Sequence, residues 1–287
     1  MKSIQELQQK SIVGQPLDRV DGRLKVTGMA RYPAEFPLEH PTHAVIVQST
    51  IASGTIRKID TRAAEEAPGV LAVLTHDNAP PLHATPPSFT VGAATPPPLQ
   101  DNNIYYHGQH IAVVVAETFE QATFAATLVS VDYEEQTPLL ELDDQRTQLI
   151  DTAFPDVTRG EPDAALATAA VRVEGVYTTP TQHHNPMALF ATTAQWDGDR
   201  LTLHDTTQWV SNTRTTVATM LGLDVSQVRV LAPFIGGAFG SGLRTWQHVV
   251  LAALAARRVG RPVKLVLTRE QMYTGIGYRP ESVQKVA

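Results

Sequence analysis

The sequence predicts a mixed α/β fold of the α+β class, built as two successive units, on three observations. Apolar, β-branched runs alternate with short helical segments over residues 20–135, which argues one compact unit. A charged stretch with Pro138 and Pro155 and weak periodicity then interrupts the pattern, and residues 137–159 are read as a linker. Past it, the run Val228-Arg229-Val230-Leu231, the glycine-rich segment 232–242 and a helical pattern from Trp246 follow as strand, loop and helix. A length of 287 residues fits about two domains, with ample chain for a core.

Residues 1–20 are read as an extension; Met1 to Lys10 are polar and lack the apolar stretch of a secretory leader. The first unit is placed at 21–136. It opens on polar text with turn signals at Asp21-Gly22 and Thr27-Gly28. Thr42 to Ser49 reads as a strand and Ile56 to Asp60 as a shorter one. Thr61 to Ala67 reads as a brief helix capped by Thr61 and closed by Pro68-Gly69, and Val70 to Leu74 as a buried strand. Asp77 to Leu99 carries paired and triple prolines; it cannot supply ladder hydrogen bonds and is expected to be a surface loop. Gln109 to Ala116 is a strong strand, Phe119 to Leu128 a helix with Phe119, Ala122, Phe124, Ala125 and Leu128 as its apolar positions, and Val129 to Tyr133 a strand.

The second unit is placed at 160–287. Gly160-Glu161-Pro162-Asp163 leads a short Ala-rich helix, and Val171 to Tyr177 alternates as a strand. Ala191 to Trp196 and Leu201 to His204 flank the hairpin signal Asp197-Gly198-Asp199. Val210, Val217, Met220 and Leu221 mark a helix ended by Gly222, and Val263 to Leu267 a further strand. Ser282 to Ala287 begins another strand without a following turn, so more of the fold is expected beyond it or on another chain.

Composition narrows the function classes. Net charge is −6 with no basic block, which speaks against nucleic acid and anionic membranes as partners. No apolar run approaches the ~20 residues of a membrane span, so a soluble, cytoplasmic chain is expected, with periplasmic co-export alongside a partner as the other option. Without cysteine the chain supplies neither disulfides nor thiolate ligands. Among ten histidines there is no H-E-x-x-H or H-x-H, and His183-His184 on a strand would face opposite ways. Ser241 lies in Phe-Gly-Ser-Gly-Leu rather than G-x-S-x-G, and Glu134-Glu135 and Asp143-Asp144 read as solvated charge.

The glycine loop is the strongest candidate site. Glycine lets main-chain N–H groups approach a bound group closely, and a following helix adds unpaired donors and a positive dipole end. The order G-G-x-x-G-x-G is neither G-x-G-x-x-G nor a Walker A, and Arg257, Arg258 and Arg261 stand where a nicotinamide site needs an acid. A ligand cradle and a tight turn that needs glycine for packing both remain open. Gln208, in Thr206-Thr207-Gln208-Trp209, sits at a strand end entering a helix, as a functional side chain or as a cap.

Taken together these segments resemble the molybdenum-cofactor subunit of the xanthine dehydrogenase and aldehyde oxidoreductase family. Asp21 to Tyr32 is similar to its "D-x-x-x-K-V-T-G-x-A-x-Y", Ala67 to Thr75 to "A-P-G-V-x-A-V-x-T", and Tyr106 to Ala116 to "V-G-Q-P-V-A-x-V-V-A". Thr207-Gln208 and Gly236-Gly237-Ala238-Phe239-Gly240 resemble its "T-Q … G-G-G-F-G" pair, and Gly260 to Lys264 and Thr268-Arg269-Glu270 follow in order. Gln182 to Met187 and Ser241-Gly242-Leu243 are most similar to the bacterial aldehyde and isoquinoline oxidoreductase branch.

The resemblance implies a hammerhead-type α/β domain over 21–136 and the first, incomplete part of a molybdopterin-binding domain over 160–287. It implies oxidative hydroxylation of aldehydes or N-heteroaromatics with water as the oxygen source, and a molybdenum–pterin cofactor, the cytosine dinucleotide form being one option. Gln208, Gly236, Gly237, Ala238, Phe239 and Gly240 would bind that cofactor. Gln208 would reach the metal through an oxo ligand, and Phe239 would lie beside it through its backbone. Leu243 would face the substrate, replacing the acidic residue that orients purines. Ala238 stands for a usual glycine, Gly242 for a frequent lysine, and Ala188-Leu189-Phe190 where "E-P-H" is common. No catalytic residue is expected within the chain, since the family's glutamate base lies past residue 287. Implied partners are the rest of the molybdenum subunit, an iron–sulfur subunit and an FAD-bearing flavin subunit. The alternative is a truncated relic or assembly module of the same fold without cofactor.

Overall fold

The computed structural model describes residues 14–85, 96–142, 157 and 159–287. The first thirteen residues of the extension, the middle of the proline-rich insertion and most of the linker lie outside the described residues.

A seven-stranded mixed sheet carries the molecule, in the order β10 (Val228–Leu231), β9 (Arg200–Asp205), β8 (Ala191–Asp197), β11 (Val263–Val266), β1 (Thr42–Gln48), β5 (His110–Ala116), β3 (Val70–Thr75). Its two halves meet where β1 pairs in parallel with β11, Thr42 opposite Val263 and Ala44 opposite Leu265. The linker expected at 137–159 thus divides the sequence but not the sheet, because strands from both sides of it share one ladder. No local pattern announces that pairing. The Thr42 hydroxyl and N–H both donate to the Pro262 carbonyl, 220 residues away, and lock the seam.

β5 is the centre of the first half. All seven of its residues are buried, as expected of a strand covered on both faces. One face meets α6 (Gln247–Val259), whose residues from Gln247 to Ala256 are all buried. The other meets α2 (Arg62–Glu65) and α3 (Phe119–Ala126) through Ala64, Ala125, Val73 and Val114. Small residues on these helices let them lie close to the sheet, and each fully buried leucine, such as Leu251, contributes about 1.5–3 kcal/mol. α6 ends at Gly260 in the left-handed conformation, the stop that Arg257, Arg258 and Gly260 predict. Residues Asp197 and Arg200 pair across a Gly198-Asp199 turn, so the hairpin forms where its signal lies.

Other expectations are refined or corrected. The turn signal at Asp21-Gly22 is met, the Gly22 N–H donating to the Arg19 carbonyl (3.0 Å), but the chain then runs on into α1 (Gly22–Val26), with Asp21 bridged to Arg19 and Lys25; those cations pull its carboxyl down to about 2. Thr61 precedes α2, but its hydroxyl donates to Glu65 and caps no N–H. Phe119 and Phe124 on α3 are exposed, Ala122 and Ala125 are its buried positions, and Leu128, just past the helix, packs partly buried against the same cluster. The strand read from Val171 begins at Gly175, as β7 (Gly175–Thr179), and among the described residues it pairs only with β12 (Ser282–Val286). β4 (Asn103–Ile104), β2 (Gly54–Asp60) and β6 (Ser130–Glu135) form a separate three-stranded sheet. α4 (Pro162–Thr168), α5 (Val210–Leu221) and α7 (Arg269–Gly275) complete the described helices.

Candidate functional site

β10 delivers the chain into the glycine loop, and α6 does not follow it directly. A 3-10 turn at Ser241–Leu243 and extended residues to Trp246 intervene. The helix N-terminus expected at the loop is therefore displaced: its first residue, Gln247, is buried and donates to the Pro96 carbonyl. What the loop offers is main chain. Among the described residues, no N–H of Gly236, Gly237, Ala238, Phe239 or Gly240 finds an acceptor. Phe239 (φ 52°) and Gly240 (φ 94°) are consecutive left-handed residues, a conformation that costs a phenylalanine about 1 kcal/mol or more. Phe239 is 71% exposed.

The strained turn is held from beneath. Ser241 returns two hydrogen bonds to the Ala238 carbonyl, from N–H at 3.0 Å and from the hydroxyl at 2.6 Å. The Trp246 indole N–H donates to the Ser241 carbonyl at 2.7 Å. Gly242 ties the loop to the second sequence motif: the Gln208 N–H donates to its carbonyl at 2.8 Å and the Thr207 hydroxyl at 3.3 Å. A Cβ on Gly242 would stand 3.2 Å from Gln208 Cγ and Oε1, so the two segments touch. A lysine there, frequent in the resembled family, would need Gln208 to move. Buried threonines continue the support, Thr213 donating to Thr207 at 2.9 Å and Thr245 to Thr213 at 3.4 Å. Gln208 caps no helix; Trp209 holds the N-cap position of α5, and the exposed Gln208 carboxamide makes no hydrogen bond among the described residues.

The two readings of the glycines divide by position. Gly236 is a packing glycine, since a Cβ would lie 2.2 Å from the Ala188 methyl. Gly240 faces open space. Ala188 is thus part of the loop's seat. Arg269 fixes that seat by donating to Asn185 Oδ1 (3.0 Å) and to the carbonyls of Pro186 (2.6 Å) and Met187 (2.8 Å). The sequence reading contains Ala188 and Arg269 but gives neither a role; the small residue opposite a glycine pair is the signal that could have found the first. Leu243, half-exposed, and Met187 put apolar surface beside the loop.

One acid stands behind the site. Asp205 ends β9 and is fully buried; burial pushes its carboxyl up to about 7, against the Thr192 hydroxyl, which donates to it, and the neighbouring Thr206 main chain. Among the described residues no group of three or more His, Asp or Glu side chains could hold a metal ion. Main-chain N–H groups and a carboxamide instead suit electron-rich oxygens of a cofactor that brings its own metal ligands.

Comparison with known families decides what class of chain this is. Residues 143–287 match the molybdopterin cofactor-binding domain, and residues 27–137 match the aldehyde oxidase and xanthine dehydrogenase a/b hammerhead domain. The chain belongs to the aldehyde oxidase and xanthine dehydrogenase family. It is 42% identical over 282 residues to the aldehyde oxidoreductase molybdenum-binding subunit PaoC of Escherichia coli strain K12, covering 97% of this chain and 38% of that one. It is 30% identical to the putative xanthine dehydrogenase molybdenum-binding subunit XdhA of the same strain, covering 89% and 36%. Among solved structures, the aldehyde oxidoreductase of Desulfovibrio gigas superposes with a TM-score of 0.78 at 27% identity, over 92% of this chain and 31% of that one. Quinoline 2-oxidoreductase of Pseudomonas putida 86 gives 0.79 at 26%, over 92% and 36%. The chain therefore spans about two fifths of its relatives' length or less. The mixed α/β class and the hammerhead-plus-molybdopterin-domain reading hold. No described helix is long and apolar enough to cross a membrane.

Proposed function

We propose that this chain forms one wall of the molybdenum site in a hydroxylase that oxidises aldehydes or N-heteroaromatics, with water as the oxygen source. The observation that carries the reading is the row of N–H groups without acceptors at Gly236–Gly240, bonded through Gly242 to the backbone of Gln208. A molybdenum–pterin group, when bound, supplies the redox chemistry. The chain's own residues supply placement. The N–H groups around Phe239 and the Gln208 carboxamide donate to oxygens of that group, and Gly240 leaves room for its approach. Preorganised donors of this kind need no rearrangement during reaction. Leu243 and Met187 border the substrate; with no carboxylate at Leu243, an apolar carbonyl or heteroaromatic is favoured over a purine. The general base belongs to the remaining polypeptide, together with iron–sulfur and flavin partners and a cytosine dinucleotide form of the cofactor. Residues 21–136 and 160–287 are the working domain limits.

Molybdenum content and pterin fluorescence of the chain, with and without the C-terminal polypeptide of a relative, test this directly. Loading should appear in the complex. Absence of cofactor in both preparations would return the chain to the assembly-module alternative. In the loaded complex Gln208→Ala should lower kcat on the order of 100-fold while molybdenum content stays constant. Unchanged kcat would remove Gln208 from the site.

A further inference from the structure

Three threonines beneath the glycine loop are buried where valine would fill nearly the same space. Thr207, Thr213 and Thr245 are 3%, 1% and 3% exposed, and they come from the turn after β9, from α5 and from the extended stretch before α6. A hydroxyl withdrawn from water costs free energy unless it is bonded, so packing alone favours valine at all three.

Their hydrogen bonds run in one direction. A carbonyl oxygen only accepts, so the single proton of the Thr207 hydroxyl is committed to the Gly242 carbonyl (3.3 Å). Thr207 can then only accept further, and it does so from the Trp209 N–H (3.0 Å) and the Thr213 hydroxyl (2.9 Å). Thr213 accepts from the Thr245 hydroxyl (3.4 Å), and Thr245 from Asn212 Nδ2 (3.4 Å). With the Gly242 carbonyl fixed as the acceptor, the polarity of the whole line follows.

The line ends where the two motifs meet. The Gly242 carbonyl also accepts the Gln208 N–H at 2.8 Å, and Gly242 stands two residues past the left-handed pair Phe239 and Gly240. A strained turn persists only where its surroundings over-determine it. Ser241 and Trp246 hold this one along its own segment; the threonine line adds a tie to α5.

We infer that Thr213 is a positioning residue of the site. Through Thr207 and the Gly242 carbonyl it sets where Gln208 stands against the Phe239 turn, and Thr245 supports it from behind. Its effect on turnover rests on the molybdenum reading; the placement of Gln208 does not.

Thr213→Val keeps the shape and removes the hydroxyl, whereas Thr213→Ser keeps the hydroxyl and removes a methyl group. In the 287-residue chain without cofactor, hydrogen–deuterium exchange at the Gln208 amide should be about tenfold faster in Thr213→Val and within about threefold of the parent in Thr213→Ser. In the loaded complex Thr213→Val should lower kcat about tenfold at unchanged KM and molybdenum content, and Thr213→Ser should restore most of it. Thr215→Val, exposed on the same helix, should move neither readout. If Thr213→Val fails to fold by circular dichroism, Thr245→Val decides, with the same signs. Parent-like exchange at Gln208 in Thr213→Val, or equally fast exchange in Thr213→Ser, would overturn the proposal. So would a parent-like kcat in Thr213→Val alongside a slow Gln208→Ala. A parent-like kcat in both, with exchange as expected, would instead overturn the molybdenum reading and uphold the placement.

Discussion

β5 and the β7–β12 ribbon are both valine-bearing strands, yet they occupy opposite extremes of the molecule. Every residue of β5 is buried, flanked by β1 and β3 and covered by α6 on one face and by α2 and α3 on the other. The ribbon has no other strand partner among the described residues, and Val176, Tyr177, Val283 and Val286 are all more than half exposed. β-branched residues thus specify extended backbone in both places, while only neighbouring layers convert it into a core. A two-stranded ribbon is marginal in water, and the relatives' chains are two to three times longer than this one.

The comparison can be broken most forcefully at Val114. Val114→Asp places an unpaired carboxylate in a fully buried position and should cost about 4 kcal/mol or more, enough to abolish cooperative urea unfolding. A midpoint close to that of the parent chain would show that β5 is not the core. The next effect is pH-dependent. His110, on β5, titrates near 4 when folded against about 6.5 when unfolded. As pH falls, the unfolded chain takes up the proton first, so this stability is complete above about pH 7 and declines between about 6.5 and 4. The loss at the acid end is about 3 kcal/mol. His110→Phe should remove that share of the acid limb, leaving the share of His248, which burial pushes down to about 3. Identical urea midpoints across pH for parent and variant would contradict a neutral buried His110. The smallest effect is expected in the ribbon, where Val283→Ser should change stability by no more than about 0.5 kcal/mol. The same substitution should weaken association with a relative's C-terminal polypeptide in a pull-down titration; indifference there would mean that the ribbon is not a docking edge.

Strand identities were readable because the runs at Thr42, Val70, Gln109, Ala191 and Val228 carry their own pattern and punctuation. What fails is whatever depends on neighbours. Phe119 and Phe124 fit an apolar helix face by spacing, but the residues of α3 that the fold buries are Ala122 and Ala125. The β1–β11 seam joins residues with no shared local signal, so the sheet that runs across the linker has no announcement in the sequence. In the site, Gln208 and the glycine loop were legible as motifs, and the structure brings them into contact at Gly242. Ala188 and Arg269 were not given roles, since a methyl group's meaning comes from the glycine opposite it and a cation's from carbonyls that the fold turns toward it. His110 hid inside a valine run, where only its polarity in a buried strand marked it.

The seam between β1 and β11 has a kinetic consequence. During synthesis at about 5–20 residues per second, the Thr42 edge waits on the order of ten to forty seconds for Pro262 to be made. Once β5 is complete at Ala116, a nascent chain holding β1, β3 and β5 presents a bare ladder of amides and carbonyls for the rest of that interval. Ribosome-associated holdases would therefore find their substrate here, at the sheet's middle rather than at its rim.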